Sequence, residues 1–392
     1  MKLIIVVYLV EKWSTFHRRP MLEALARQFR GFATVFCVNP PVSLRQAISF
    51  RWVGRRESLL PLGGPKRLTK NLYVGTPALF MPGTGRQFQR KYSIGWKMVS
   101  GQVTNVVNKI GNKDSKVISW VYRPEQLHCL ELSSEENVIF ECYDEYSLSP
   151  IDGVSIPGMK DREDELLSKA DLIFTTSKAL FESRSERYPV VIYAPNGVDF
   201  DLFSRVVKDK AQIPKDLRRV PTPRIGYIGN ISGRVDFDLL ESVVKLGEKY
   251  SFVFLGPVEK SSNHEVKKLA RHPNVFFLGR KSYVKLPSYL KGFSVCIIPN
   301  KTHKWNDNSN PLKLWEYLAA GKPVVSTEIK EMEKLSEIIW IVNDSDTFIS
   351  AIEEGLSDLN KTRIEMGISI ARQFSWDKLT NLMVKQINEL WV

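Results

Sequence analysis

Short apolar runs alternate with amphipathic stretches along most of the chain. The apolar runs predict strands at 2–9, 33–38, 71–76, 116–122, 137–142, 171–175 and 189–193. A second series follows at 224–228, 251–255, 274–278, 293–298, 322–326 and 338–342. Between them, apolar positions recur with helical spacing over 19–29, 88–109, 159–168, 236–249, 263–271, 283–291 and 344–357. Strands that alternate with helices imply parallel sheets covered by helices on both faces, an α/β architecture. The alternation restarts near residue 222, after a polar stretch rich in Lys, Arg and Pro (208–223). This predicts two doubly wound, Rossmann-like domains in tandem, 1–200 and 201–375. Ligands of such sheets bind outside the carboxyl ends of the strands, so two facing domains would share a site in the cleft between them. A last helix, Trp376 to Trp391, could pack on the second domain or return to the first; the expectation is that residues 376–392 return.

At 392 residues the chain is too long for one compact core. The apolar run from Leu3 to Val10 is too short to cross a bilayer and has no small-residue cleavage site nearby, so it is expected to be a buried strand of a cytoplasmic protein. Cys37, Cys129, Cys142 and Cys296 are far apart and form no CxxC pair, which favours reduced core thiols over a metal site or a disulfide.

Charge changes the picture. The net charge is +13, but residues 1–110 hold 18 Lys and Arg against only Glu11, Glu23 and Glu57, a local balance of +15. Such asymmetry implies a polyanionic partner. Within this region Phe50–Arg56 and Gln87–Lys97 mix cations with aromatics, which suits an anionic membrane surface better than nucleic acid.

The segment Asn310 to Gly321 is the most informative. Asn310 is expected as an N-cap, Pro311 as the first helical residue and Gly321 as the stop. The helix is apolar almost all round, and its only charges, Lys313 and Glu316, share a face. Lys313 sits in the first turn, where the helix dipole disfavours a cation by a few tenths to about 1 kcal/mol. A bound anion would reverse that sign, and the free N–H groups of a helix start already attract phosphate. Glu316, one turn deeper, could accept from a pair of hydroxyls such as those of ribose. Spacing alone allows an ordinary Lys–Glu pair equally well.

The run NPLKLWEYLAAGKPVVST resembles the donor-site segment of GT-B glycosyltransferases in the broad family 4-like group. Other segments are similar in the right order: Tyr193–Asp199 (YAPNGVD), Arg224–Asn230, Phe254–Pro257, Asn274–Gly279 and Phe374–Trp376. The resemblance covers residues 135–392 well and the first 130 weakly. It implies a nucleotide-sugar donor, UDP-linked by expectation, with Glu316 on the ribose and Lys313 on the diphosphate. Asn310 and Leu312 belong to the same segment. It places Gly229 and Asn230 on the turn over the diphosphate, and Arg280 and Tyr283 near the nucleobase, although these last two could equally be solvated loop residues. One position departs: retaining members carry a glutamate eight residues before Glu316, where this chain has Asn308.

Sugar transfer needs a base for the acceptor hydroxyl. The strand ending at Tyr143 leads into Asp144, and Tyr143-Asp144-x-x-Ser147 resembles the arrangement in the xanthan glucuronosyltransferase type, an inverting enzyme. Asp144 is therefore the expected catalytic base, with Glu141 and Glu145 as alternatives nearby. His17, Arg18 and Arg19, in the loop after the first strand, are expected to face the cleft and the acceptor, a solvated loop being the alternative. No metal-ligand spacing occurs, so a metal-independent reaction without cofactor is expected, with Lys313, helix starts and Arg234 offsetting the leaving charge. The expected acceptor is a glycan or a lipid-diphosphate-linked sugar at the inner membrane face, met by a peripherally bound enzyme without nucleic acid. An epimerase of the same build and a non-catalytic nucleotide-sugar binder remain as other readings.

Overall fold

The computed structural model describes residues 3–43, 59–79, 93–112, 115–130 and 137–391. The Phe50–Arg56 stretch and most of Gln87–Lys97 lie outside the described residues.

The first sheet contains β1 (Leu3–Tyr8), β2 (Ala33–Val38), β3 (Lys66–Arg67), β4 (Leu72–Gly75), β5 (Lys116–Val121), β6 (Val138–Cys142), β7 (Leu172–Thr175) and β8 (Val191–Tyr193). Their spatial order is β8-β7-β6-β5-β1-β2-β4-β3. All neighbours are parallel except the short β3 edge strand, which runs antiparallel to β4. The second sheet contains β9 (Arg224–Ile228), β10 (Ser251–Leu255), β11 (Val275–Phe277), β12 (Val295–Ile298), β13 (Val324–Ser326) and β14 (Trp340–Ile341). Its order is β11-β10-β9-β12-β13-β14, and every pair is parallel. This is the doubly wound 3-2-1-4-5-6 arrangement, whose order reverses between β9 and β12. In the first sheet the reversal falls between β1 and β5.

The central strands are continuous apolar runs because helices cover both faces. β1, β2 and β6 are buried along their whole length. Each sheet accordingly separates two apolar clusters, one on each face. The longer helices are α1 (Arg19–Gln28), α2 (Ser93–Ile110), α3 (Met159–Lys169), α4 (Lys178–Ser185), α5 (Phe237–Leu246), α6 (Leu312–Ala319), α7 (Ser345–Gly355), α8 (Lys361–Gln373) and α9 (Trp376–Trp391). Side-chain caps start several of them: Ser177 accepts from Leu180 N, Asp236 from Leu239 N and Asp344 from Thr347 N. All four cysteines are free and buried.

Two crossings join the domains. Val198 and Ser375 lie side by side, with Val198 N donating to Phe374 O at 2.9 Å and Trp376 N to Val198 O at 3.0 Å. Beyond this bridge, α9 leaves the second domain and packs on α1. Trp376, Met383, Ile387 and Trp391 enter the first domain's core. Arg27 pairs with Asp377 at 2.7 Å, and the Gln28 amide donates to Asp377 O at the same distance. Among the described residues, no helix is long and apolar enough to cross a membrane.

Candidate active site

Helix α6 begins at the carboxyl end of the second sheet, beside the β9–β12 reversal. Its cap is Pro311, and no side chain closes its first turn. This corrects the expectation for Asn310. That residue is buried one position earlier, where its amide donates to Thr176 O and accepts from the Trp315 indole, both at 3.0 Å. The amide is held by a main-chain carbonyl and an indole and does not cap the helix; in the first turn Leu314 N donates to Pro311 O at 3.1 Å, which leaves the N–H groups of Leu312 and Lys313 at the helix start. Leu312 packs against the apolar cluster of the first domain, so the helix start lies in the domain seam.

Lys313 projects over the turn that follows β9. Its ammonium lies 4.0 Å from the Tyr227 ring centroid. Gly229 makes that approach possible: its φ is +152°, and a Cβ there would stand 2.8 Å from Lys313 Nζ. The Gly229 carbonyl is nested against Gly256, where any Cβ would overlap it. Asn230, on the same turn, accepts at its carbonyl from the Tyr227 hydroxyl at 2.8 Å, and its amide donates to Glu259.

Glu316 is buried below Lys313. Burial raises its carboxyl pKa to about 7, against the lowering influence of a hydrogen bond with Tyr283 and of the Lys313 charge. Tyr283 also packs edge-on against Phe203, centroids 5.4 Å apart. The structure thus gathers Lys313, Glu316, Gly229 and Tyr283 at one site. Tyr283 sits beside Glu316, deeper than a loop residue at the nucleobase rim. Arg280 is exposed at the rim, where its charge reaches Glu11 of the first domain.

Asp144 follows β6 on the opposite wall. Burial raises its pKa, opposed by Arg234, His17, Arg123 and Arg18 in that order. Arg234 belongs to the second domain and stacks on Trp305 at 4.3 Å, so Asp144 faces it across the cleft. His17 shares this wall: its ring meets Tyr143 edge-on at 5.3 Å, and its Nδ1 lies 3.5 Å from Glu11. Arg123, which the sequence did not single out, donates from Nε to the Tyr143 hydroxyl at 3.4 Å.

Four expectations are corrected. Arg18 does not face the acceptor: it is fully buried, ion-paired with the equally buried Glu141, and donates to Asn196. Glu141 cannot serve as a base, because it is held by Arg18 and accepts from the Trp120 indole at 3.0 Å. Glu145 is likewise occupied, paired with Arg184 at 3.0 Å and accepting from Ser147 Oγ at 2.6 Å. Arg19 is exposed on α1, paired with Glu23 at 2.8 Å and stacked over Trp13. Asn308, at the departing position, turns its amide back to Lys304 O at 2.8 Å.

Known proteins resemble this chain in sequence and fold. Residues 222–358 match the family model described as glycosyl transferases group 1. The chain is 28% identical over 270 residues to the "Putative teichuronic acid biosynthesis glycosyltransferase TuaH" of Bacillus subtilis (strain 168), covering 65% of this chain and 67% of that protein. The fold superimposes on sucrose-phosphate synthase of Thermosynechococcus elongatus with a TM-score of 0.74 at 14% identity, covering 100% of this chain and 99% of that one. It also superimposes on Anabaena HepE in complex with UDP and glucose, with a TM-score of 0.65 at 15% identity and coverage of 98% and 99%. The two parallel sheets and these superpositions give the chain a GT-B fold, and the match over residues 222–358 together with the related glycosyltransferase supports a glycosyltransferase of the group 1 type.

Proposed function

We propose that this enzyme moves a sugar from a UDP-sugar to a glycan or lipid-diphosphate-linked acceptor, with inversion, in the assembly of a polysaccharide or glycolipid. One observation carries the reading: an ammonium lies against a glycine turn at an uncapped helix start, with a buried carboxylate one turn below. The ammonium and the free N–H groups suit a diphosphate, and the carboxylate suits the two ribose hydroxyls. The UDP complex of Anabaena HepE supports uridine as the nucleoside.

In the reaction, the acceptor oxygen attacks the anomeric carbon while its proton passes to Asp144. The bond from that carbon to the diphosphate oxygen breaks, and the nucleoside diphosphate leaves with the bonding pair. Lys313, the start of α6 and Arg234 offset the developing charge, so the step is assigned no metal. Burial raises the Asp144 pKa, which makes its carboxylate a stronger base than an exposed aspartate. Arg123 and His17 line the acceptor side. The basic first 110 residues hold the enzyme on the cytoplasmic face of an anionic membrane, where a lipid-linked acceptor would be presented.

A thermal-shift screen of UDP-, GDP- and ADP-sugars tests the donor. At a hundred times its dissociation constant, a UDP-sugar should stabilise the fold by about 2.7 kcal/mol. Release of UDP that requires acceptor lipid, with an inverted anomeric centre in the product, tests the reaction. Turnover of donor alone to an isomer would overturn the proposal in favour of epimerisation.

A further inference from the structure

A chain of buried polar contacts fastens the start of α6 to the first domain. Arg18 and Glu141, both inaccessible to solvent, form an ion pair. Arg18 also donates to the Asn196 side-chain oxygen. The Asn196 amide donates to Asn310 O at 2.5 Å. Asn310 in turn donates to Thr176 O and accepts from the Trp315 indole. Trp315 stacks on Phe374 with centroids 3.9 Å apart, and Phe374 O accepts from Val198 at the domain crossing. Asn196 and Arg18 belong to the first domain, whereas Asn310 lies three residues before Lys313 and six before Glu316.

Arg18 and Glu141 are wholly enclosed. Yet Asn196 and Asn310 set where the first turn of α6 begins. A buried amide that bonds on both sides permits little displacement, because any shift leaves a desolvated polar group unpaired. Displacement of a binding group by about 1 Å is enough to cost about a hundredfold in rate.

We propose that Asn196 and Asn310 are positioning residues for the nucleotide-sugar site. They hold the α6 start in register with the first domain, so that Lys313 and Glu316 present the donor to the opposite wall. The proposal rests on the donor site described under Proposed function. The Arg18–Glu141 pair fixes the Asn196 oxygen, leaving its amide aimed at Asn310.

The test is Asn196→Asp, which keeps an oxygen for Arg18 but removes the donor to Asn310 O, together with Asn310→Ser, which removes both side-chain bonds. Donor Kd is measured by titration calorimetry well below Tm, and KM is measured for donor and acceptor separately. Each variant should raise donor Kd and donor KM about tenfold, while acceptor KM stays at its original value. Lys313→Ala and Glu316→Gln are run in parallel. If these two weaken donor binding while Asn196→Asp and Asn310→Ser leave it unchanged, the positioning role is overturned, even if Tm falls. If all four leave donor binding unchanged, the donor site itself is misplaced and the positioning role falls with it.

Discussion

Donor binding should release a proton from Glu316. In the free enzyme its carboxyl titrates at about 7, because burial opposes ionisation more than Tyr283 and Lys313 favour it. Two ribose hydroxyls donate to the ionised form, so only that form binds well. The apparent Kd then scales as one plus the ratio of protonated to ionised carboxyl. It should be about tenfold weaker at pH 6 than at pH 8, and about a hundredfold weaker at pH 5, each tenfold step being about 1.4 kcal/mol. An intact UDP-sugar is the right ligand, since its two phosphates stay singly charged throughout this range, whereas free UDP titrates within it. Calorimetry in buffers of different ionisation heat should detect uptake of the released proton by buffer at pH 6 and almost none at pH 8. Glu316→Gln should bind more weakly at pH 8 and flatten the profile. A flat wild-type Kd between pH 5 and 8, or a slope that survives in Glu316→Gln, would refute the assignment of the ribose to this carboxylate.

The same residue predicts a stability effect of opposite sense. A carboxyl raised from 4.5 to about 7 in the folded state favours folding fully below pH 4.5 and loses that contribution as pH rises through 7, at most about 3 kcal/mol. Unliganded Glu316→Gln should therefore melt higher than wild type at pH 8 and equally at pH 4.5, as read by calorimetry. Lys313→Ala should weaken UDP-sugar binding about ten- to a hundredfold, the range for a lost charge-assisted hydrogen bond; a smaller change in titration would remove Lys313 from the diphosphate. Asp144→Asn should lower kcat by about 10²–10⁴ with donor Kd unchanged, and activity should rise with pH through the raised Asp144 pKa; transfer at the wild-type rate would exclude it as the base. Arg18→Ala should cost about 3–5 kcal/mol in denaturant unfolding by stranding Glu141, and an effect confined to acceptor KM would return Arg18 to the cleft.

Much of this protein was legible one segment at a time. Leu3–Val10 reads as a strand and contains β1; the final amphipathic stretch from Trp376 to Trp391 is α9. These features follow from an unbroken apolar run and from a period of 3.6 residues, which need no knowledge of distant neighbours. The seam between the domains was legible only as the repeat of the pattern after residue 222. Helix α8 was harder, because Gly367 interrupts it; the glycine is there for close packing, since a Cβ would lie 3.0 Å from Leu318 of α6.

Side-chain roles depended on pairings that no local pattern encodes. Arg18 and Arg19 are adjacent and look alike in the sequence, yet one is sealed in the core and the other lies in solvent. What separates them is Glu141, 123 residues away, which makes burial of Arg18 affordable. Asn310 reads as a helix cap until Asn196 and Thr176, 114 and 134 residues away, engage it. The sequence by itself determined most of the strands and several of the helices, the repeat of the pattern after residue 222 and the Lys313–Glu316 face; α4 and α8 were not among the elements it predicted. Only the tertiary structure decided which polar residues face the cleft and which hold it in shape, because desolvation and partner geometry are properties of the packed chain.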